Sequence, residues 1–374
     1  MSIAIDYAKG FVHKGNTAKV KDVLNKAAKG EPVTIAFLGG SITQGCLATT
    51  HELCYAKRTY DWFVKKYPTA EITYVNAGIG GTSSQYGVSR VDGDVLSKHP
   101  DLVFVEFSVN DEPAPEELGS FFKETYEGLV RHILSAECQP AVFLIHNIFY
   151  DDGRSAEDYH REVGAHYGLP SVSMRPTVYA LVKEGVITSK DVTEDDLHPN
   201  DQGHELLAGV ICHALEEIDG QPQMEPLAGK LPAPITPNTY EYSSRFQNAD
   251  ILPELKGFVK DSREKEGYLD IFSRGWIAKN TGDTITFKVK GSGLALQYKK
   301  TPKKPAPVAQ AVIDGDEAHP ILVDANFDED WGDSLHMATL LSHGENKEHT
   351  IELKIVKTTP EDQSAFYLVS VIAN

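Results

Sequence analysis

Five short apolar runs constrain the fold of this chain more than any other feature. They are "VTIAFL" from Val33, "ITYVN" from Ile72, "LVFVEF" from Leu102, "AVFLIH" from Ala141 and "PSVSM" from Pro170, and helical patterns separate them. Apolar strands that alternate with helices predict an α/β domain, a parallel sheet with helices on both faces. The first helix is expected from Asn16 as N-cap to Gly30. The last is expected from about Asp201 to Ile218, with Leu207, Val210, Ile211, Ala214, Leu215 and Ile218 on one face.

Between Asp219 and Thr239 the pattern gives way to "DGQPQMEPLAGKLPAPITPNT", whose prolines at 222, 226, 232, 234 and 237 favour an extended connector. Beyond it, runs such as "TITFKVK", "LALQYK", "HTIELKIV" and "AFYLVSVI" mostly alternate polar with apolar and are separated by turn residues, which predicts an all-β sandwich. The expected organisation is a first domain over residues 1–220, a connector over 221–239 and a β-sandwich over 240–374. A length of 374 residues suits two cores better than one.

A formal net charge of -18 opposes binding to nucleic acid or to anionic membrane surfaces. No apolar run is long enough for a membrane span, and the first residues lack a basic segment followed by an apolar one. Cys46, Cys54, Cys138 and Cys212 have no metal-type spacing and suit a reducing compartment, so the expected location is the cytoplasm.

In an open α/β sheet, ligands lie beyond the carboxyl ends of the strands, where Ser41, Asn76, Gly81 and Asn110 emerge from successive strands. Ser41 follows "AFLGG" directly. Glycines at 39 and 40 permit a tight turn that leaves both its Oγ and its backbone N–H accessible. A serine nucleophile requires a base, and "DDLHPNDQGH" supplies His198, which Pro199 keeps out of helical geometry. Asp195, three residues earlier, can orient the ring.

Each motif alone has a plainer reading. Gly-Gly-Ser can be a simple strand-to-helix turn, "ND" a cap for a helix starting in "PAPEEL", and His198 a surface residue. Asp195, Asp196, His198, Asp201 and His204 match no metal-ligand spacing, and Cys46 and Cys54 lack a base. No cofactor or metal is called for.

Taken together, "GGSIT", "NAGIGGTSS", "FSVND" and "DDLH" resemble the four blocks of the SGNH (GDSL-type) hydrolase family, over roughly Val33 to Ile218. The resemblance implies a flavodoxin-like fold, Ser41 as nucleophile, His198 as base and Asp195 as its orienter. It also implies an oxyanion hole from the N–H groups of Ser41 and Gly81 with the Asn110 side chain. Two positions depart from the family: the Asp before the serine is Gly40, and the glycine two before the asparagine is Ser108. The two-domain layout is similar to carbohydrate acetyl esterases, among them carbohydrate esterase family seventeen, which deacetylates mannan oligosaccharides. An acetylated oligosaccharide is the substrate this implies, with Trp276, Tyr298 and Trp331 as residue types that stack on sugars. A carbohydrate-binding protein with a silent SGNH domain, and an acylhydrolase for another small ester, are the alternative readings.

Overall fold

Along Val33–Gly39 (β1) successive side chains point to opposite faces of a sheet, so Ile35 and Phe37 enter one core while Ala36 and Leu38 enter another. That two-sided burial is why the run is apolar throughout. The structure is a computed structural model that describes residues 3–111, 119–227, 229–267 and 269–374. With β2 (Ile72–Gly78), β3 (Leu102–Glu106), β4 (Ala141–His146) and β5 (Ser171–Ser173), β1 forms a parallel sheet in the order β2-β1-β3-β4-β5. Side chains from α1 (Ala18–Ala28), α3 (Tyr55–Lys66) and α8 (Asp201–Gly220) fill the core on one face. Those from α4 (Ser84–Asp94), α5 (Gly119–Ser135) and α6 (Glu157–His166) fill it on the other. The short helices α2 (Ser41–Gln44) and α7 (Ala180–Lys183) complete the set. Because the strand order reverses at β1, a crevice opens beyond the carboxyl ends of β1 and β3.

The ends of the helices follow local chemistry. Asn16 accepts a hydrogen bond from Ala18 N at 3.1 Å, and Gly30 leaves α1 at φ +78°. Asn200 accepts from Gln202 N and Gly203 N and so caps α8, which carries the predicted apolar face from Leu207 to Ile218 into the core. The "PAPEEL" stretch falls in 112–118 and lies outside the described residues.

The chain divides into two units, Met1–Glu241 and Tyr242–Asn374. Apart from bends at 221, 229–230 and 235–236 and a turn at 239–241, the described residues of 221–241 have no regular structure, neither helix nor strand, and they are fastened to the first unit. Ile235 N and Thr236 N both donate to the Glu127 carboxylate at 2.8 Å, and Thr239 N donates to Glu124 Oε1 at 2.8 Å. Arg131 Nε donates to Glu241 Oε2 at 2.7 Å, and Tyr240 is buried among the side chains of α4 and α5. The stretch read as a connector is therefore a strap, because α5 offers it carboxylates for its otherwise unpaired N–H groups.

The second unit holds β6 (Ser244–Phe246), β7 (Glu254–Lys256), β8 (Val259–Lys260), β9 (Trp276–Ala278), β10 (Thr284–Gly291), β11 (Leu294–Lys300), β12 (Val308–Ile313), β13 (Ile321–Asp324), β14 (Ser334–Leu341), β15 (Lys347–Lys357) and β16 (Phe366–Ala373). They form two sheets, β13-β12-β15-β10-β7 and β14-β11-β16-β9-β8, with β6 beside β16. The apolar faces of both meet in one core that includes Trp276, Phe287, Leu296, Ile351 and Leu368.

Candidate active site

The turn after β1 needs both its glycines for space. A β-carbon on Gly39 would lie 2.1 Å from Thr43 Oγ1 and 2.5 Å from Glu106 O, and one on Gly40 would lie 2.0 Å from Asn110 Oδ1. At Gly40, where the SGNH pattern has Asp, the Asn110 side chain lies in the room a β-carbon would take, so a side chain here would require Asn110 to shift. Ser41 then opens α2, where its N–H heads a helix turn and has no intrahelical partner.

Ser41, His198 and Asp195 form a hydrogen-bonded row. His198 Nδ1 donates to Asp195 Oδ2 at 2.6 Å, which leaves the Nε2 lone pair to accept the Ser41 hydroxyl at 2.8 Å. Asp195 Oδ1 also accepts from His198 N at 2.7 Å and Leu197 N at 3.0 Å. Burial pushes the Asp195 carboxyl up, but its bonds to the His198 ring and to these N–H groups outweigh that and hold it below the usual carboxylate range. Asp196 takes no part in the row. It sits at φ +64°, pairs with Lys190 at 2.8 Å, and its carbonyl accepts from Tyr150 N at 2.7 Å.

The glycine block is pinned against the serine turn. Gly80 N donates to Gln44 Oε1 at 2.7 Å, and Gly78 N donates to Asn76 Oδ1 at 2.9 Å. Those bonds occupy two of the block's N–H groups, while Gly81 lies beyond them in a left-handed turn at φ +69°. Asn76 itself is structural, donating to Thr43 O at 2.8 Å. Asn110 Oδ1 faces Gly40 and has no hydrogen-bond partner among the described residues, so the amide NH₂ is the group it has to offer.

A buried polar layer that the sequence reading did not single out lies beneath these loops. Asp111 Oδ1 accepts from Ser84 N at 2.8 Å, which ties the asparagine loop to the start of α4, and Oδ2 shares a hydrogen bond with His160 Nε2 at 3.1 Å. Burial pushes Asp111 up and His160 down, so both are held neutral. Glu106, fully buried at the end of β3, is pushed up to about 7, again chiefly by burial. A charged residue inside a run as apolar as "LVFVEF", here Glu106, is the signal that could have marked this layer.

The aromatic candidates of the second unit separate on burial. Trp276 is 0% exposed and makes an edge contact with Phe287 at 5.2 Å, so the expectation of a sugar platform there is corrected: alternation along β9 turns it into the core. Tyr298 is likewise buried, stacked on Phe366. Trp331 is 58% exposed on the loop between β13 and β14, with one edge against Phe327 at 5.0 Å.

The model of the GDSL-like lipase/acylhydrolase family matches residues 37–206, the stretch that carries Ser41, Gly81, Asn110, Asp195 and His198. A solved structure of a two-domain esterase (CEX) active on acetylated mannans is 48% identical, the match covering 99% of this chain and 98% of that one at a TM-score of 0.95. The chain belongs to the GDSL-like lipase/acylhydrolase family. A second structure of the two-domain esterase, co-crystallized with mannopentaose, is 47% identical with the same coverage and a TM-score of 0.94. No curated protein matches the chain. This family member is a carboxylic ester hydrolase, and its fold, a five-stranded parallel sheet followed by antiparallel sheets, is that of the two-domain esterase.

Proposed function

We propose that this protein is a serine esterase that removes acetyl groups from mannan oligosaccharides by way of an acyl-enzyme. The observation that carries the chemistry is the row Ser41–His198–Asp195, with bonds of 2.8 and 2.6 Å in the correct order, the carboxylate favouring the tautomer that leaves Nε2 free to accept. In the first step Ser41 Oγ attacks the ester carbonyl carbon while His198 Nε2 takes the hydroxyl proton. The carbonyl oxygen becomes an oxyanion, received by the N–H groups of Ser41 and Gly81 and the Asn110 amide. His198 then gives its proton to the departing sugar hydroxyl, the C–O bond breaks, and the acetyl group stays on Ser41. Water, deprotonated by His198, repeats the sequence and releases acetate.

Support for the mannan substrate is the 47–48% identity, over nearly all of both chains, to an esterase active on acetylated mannans. Of the three aromatic candidates for sugar contact, Trp331 is the one that is exposed. Incubation with acetylated manno-oligosaccharides, followed by NMR of released acetate, tests this reading; hydrolysis of p-nitrophenyl acetate without release from the oligosaccharides would move the substrate elsewhere. Binding of oligosaccharide with neither ester cleaved would make the protein a silent binding module. The same reading puts the enzyme in the cytoplasm, acting on imported oligosaccharides, and its four free cysteines support that. Activity found in the culture medium instead of the soluble lysate would reject it.

A further inference from the structure

Ser108 stands where the SGNH pattern has glycine, and its hydroxyl touches three groups. Ser108 Oγ accepts from Asn147 N at 2.6 Å, and it lies 2.9 Å from Asn147 O and 3.1 Å from Glu106 Oε1. The hydroxyl has one proton, whereas a carbonyl and an ionised carboxylate are both acceptors. With Glu106 ionised, one of the two contacts lacks a hydrogen. With Glu106 protonated, all three are satisfied: Glu106 donates to Ser108 Oγ, Ser108 donates to Asn147 O, and Asn147 N donates to Ser108 Oγ. Asp111 beyond β3, Tyr55 of α3, Tyr126 of α5 and Tyr150 of the loop after β4 interact with Glu106 electrostatically, the Thr43 hydroxyl also reaches its carboxyl, and the buried Arg90 donates at 3.2 Å to the carbonyl of Gly39, the residue paired with Glu106 across the sheet.

Ser108 also holds the far end of that loop, because Ala156 N donates to Ser108 O at 2.7 Å. Residues 147–156 are thus fastened to Ser108 at both ends. Between the ends, Tyr150 OH donates to Asn147 Oδ1 at 3.1 Å and Tyr150 N donates to Asp196 O at 2.7 Å. Asp196 directly follows Asp195 in the turn that carries His198.

We propose that Ser108, held by a neutral Glu106, is a positioning residue that sets the Asp195–His198 turn, through the 147–156 loop, against the Asn110 side of the site. This rests on the catalytic roles given above to Ser41, Asn110, Asp195 and His198. Ser108 touches no reacting atom and acts through the loop.

The test is kcat and KM for p-nitrophenyl acetate across pH, on the full-length protein well below its Tm. Ser108→Ala is expected to lower kcat about ten- to a hundredfold with KM nearly unchanged, the cost of a displaced base. Glu106→Gln, whose amide N–H donates as the neutral acid does, is expected to keep kcat near neutral pH and to remove a decline on the alkaline side of the wild-type profile. Ser108→Ala with wild-type kcat and only a lower Tm would make the hydroxyl merely structural and overturn the proposal. Should Ser108→Ala fail to fold, the Glu106→Gln profile still decides: kcat collapse, or an unaltered alkaline side, would show that the neutral acid is not what holds the clamp. Ser41→Ala separates this from the underlying reading, since activity in that variant removes the catalytic assignment itself.

Discussion

Asp195 and Asp196 are adjacent carboxylates, and only the turn between them and His198 distinguishes them. Asp195 accepts the ring and two backbone N–H groups, while Asp196 points to Lys190 and lends only its carbonyl. Asp195→Asn should therefore lower kcat by about three to four orders of magnitude through the wrong histidine tautomer, and Asp196→Asn should be mild. Steady-state kinetics of the two variants side by side checks the ranking. Ser41, Asp195 and His198 were legible because nucleophile, base and orienter must be particular residue types near strand ends. Gly40 was legible only as a departure, since its closeness to Asn110, whose Oδ1 is 2.0 Å from where a β-carbon would sit, is a contact between residues far apart in sequence. Burial likewise sorts the tryptophans: Trp276→Ala should cost about 3 to 5 kcal/mol in a denaturation experiment, while Trp331→Ala should leave Tm nearly unchanged.

At the scale of elements, β3 does two tasks that its sequence only half reveals. Leu102 to Val105 announce a strand buried on both faces, and the apolar alternation of β1 to β5 carried the sheet in the same way. Glu106 and Asp111, at its end, belong to a buried layer whose other members come from α3, α4, α5 and α6, and of these only Glu106, inside an apolar run, gives a local signal. Their raised pKa values have a consequence for stability. The folded chain holds a proton on Glu106 up to about pH 7, whereas the unfolded chain releases it near 4.3. Between those values Glu106 binds more protons in the folded state, so the stability it contributes falls as pH rises through the window. Asp111 acts with the same sign, whereas His146, His160 and His204, pushed down by burial, act with the opposite one. The expected outcome is therefore a difference, urea midpoints of Glu106→Gln losing less or gaining more across the window than those of the wild type.

For the whole molecule, the boundary between units falls after Glu241, about twenty residues beyond the end of α8. Proline content identified 221–239 as extended, but its attachment depends on Glu124, Glu127 and Arg131 of α5, more than a hundred positions earlier in most of these pairs. A chain truncated after Glu241 should accordingly melt higher than one truncated after Gly220, which leaves Glu127 without its backbone donors and removes Tyr240 from the core. Equal melting temperatures would mean that the strap contributes nothing. The central claim, that Ser41 carries the acyl group between two half-reactions, is tested most directly by acid-quenching the enzyme with p-nitrophenyl acetate in its first turnovers and mapping the protein by mass spectrometry. One acetyl group on the peptide containing Ser41, absent from Ser41→Ala and accompanied by loss of turnover, is the predicted result; full turnover in a folded Ser41→Ala sample, or acetyl transfer to another side chain at a competent rate, would contradict it.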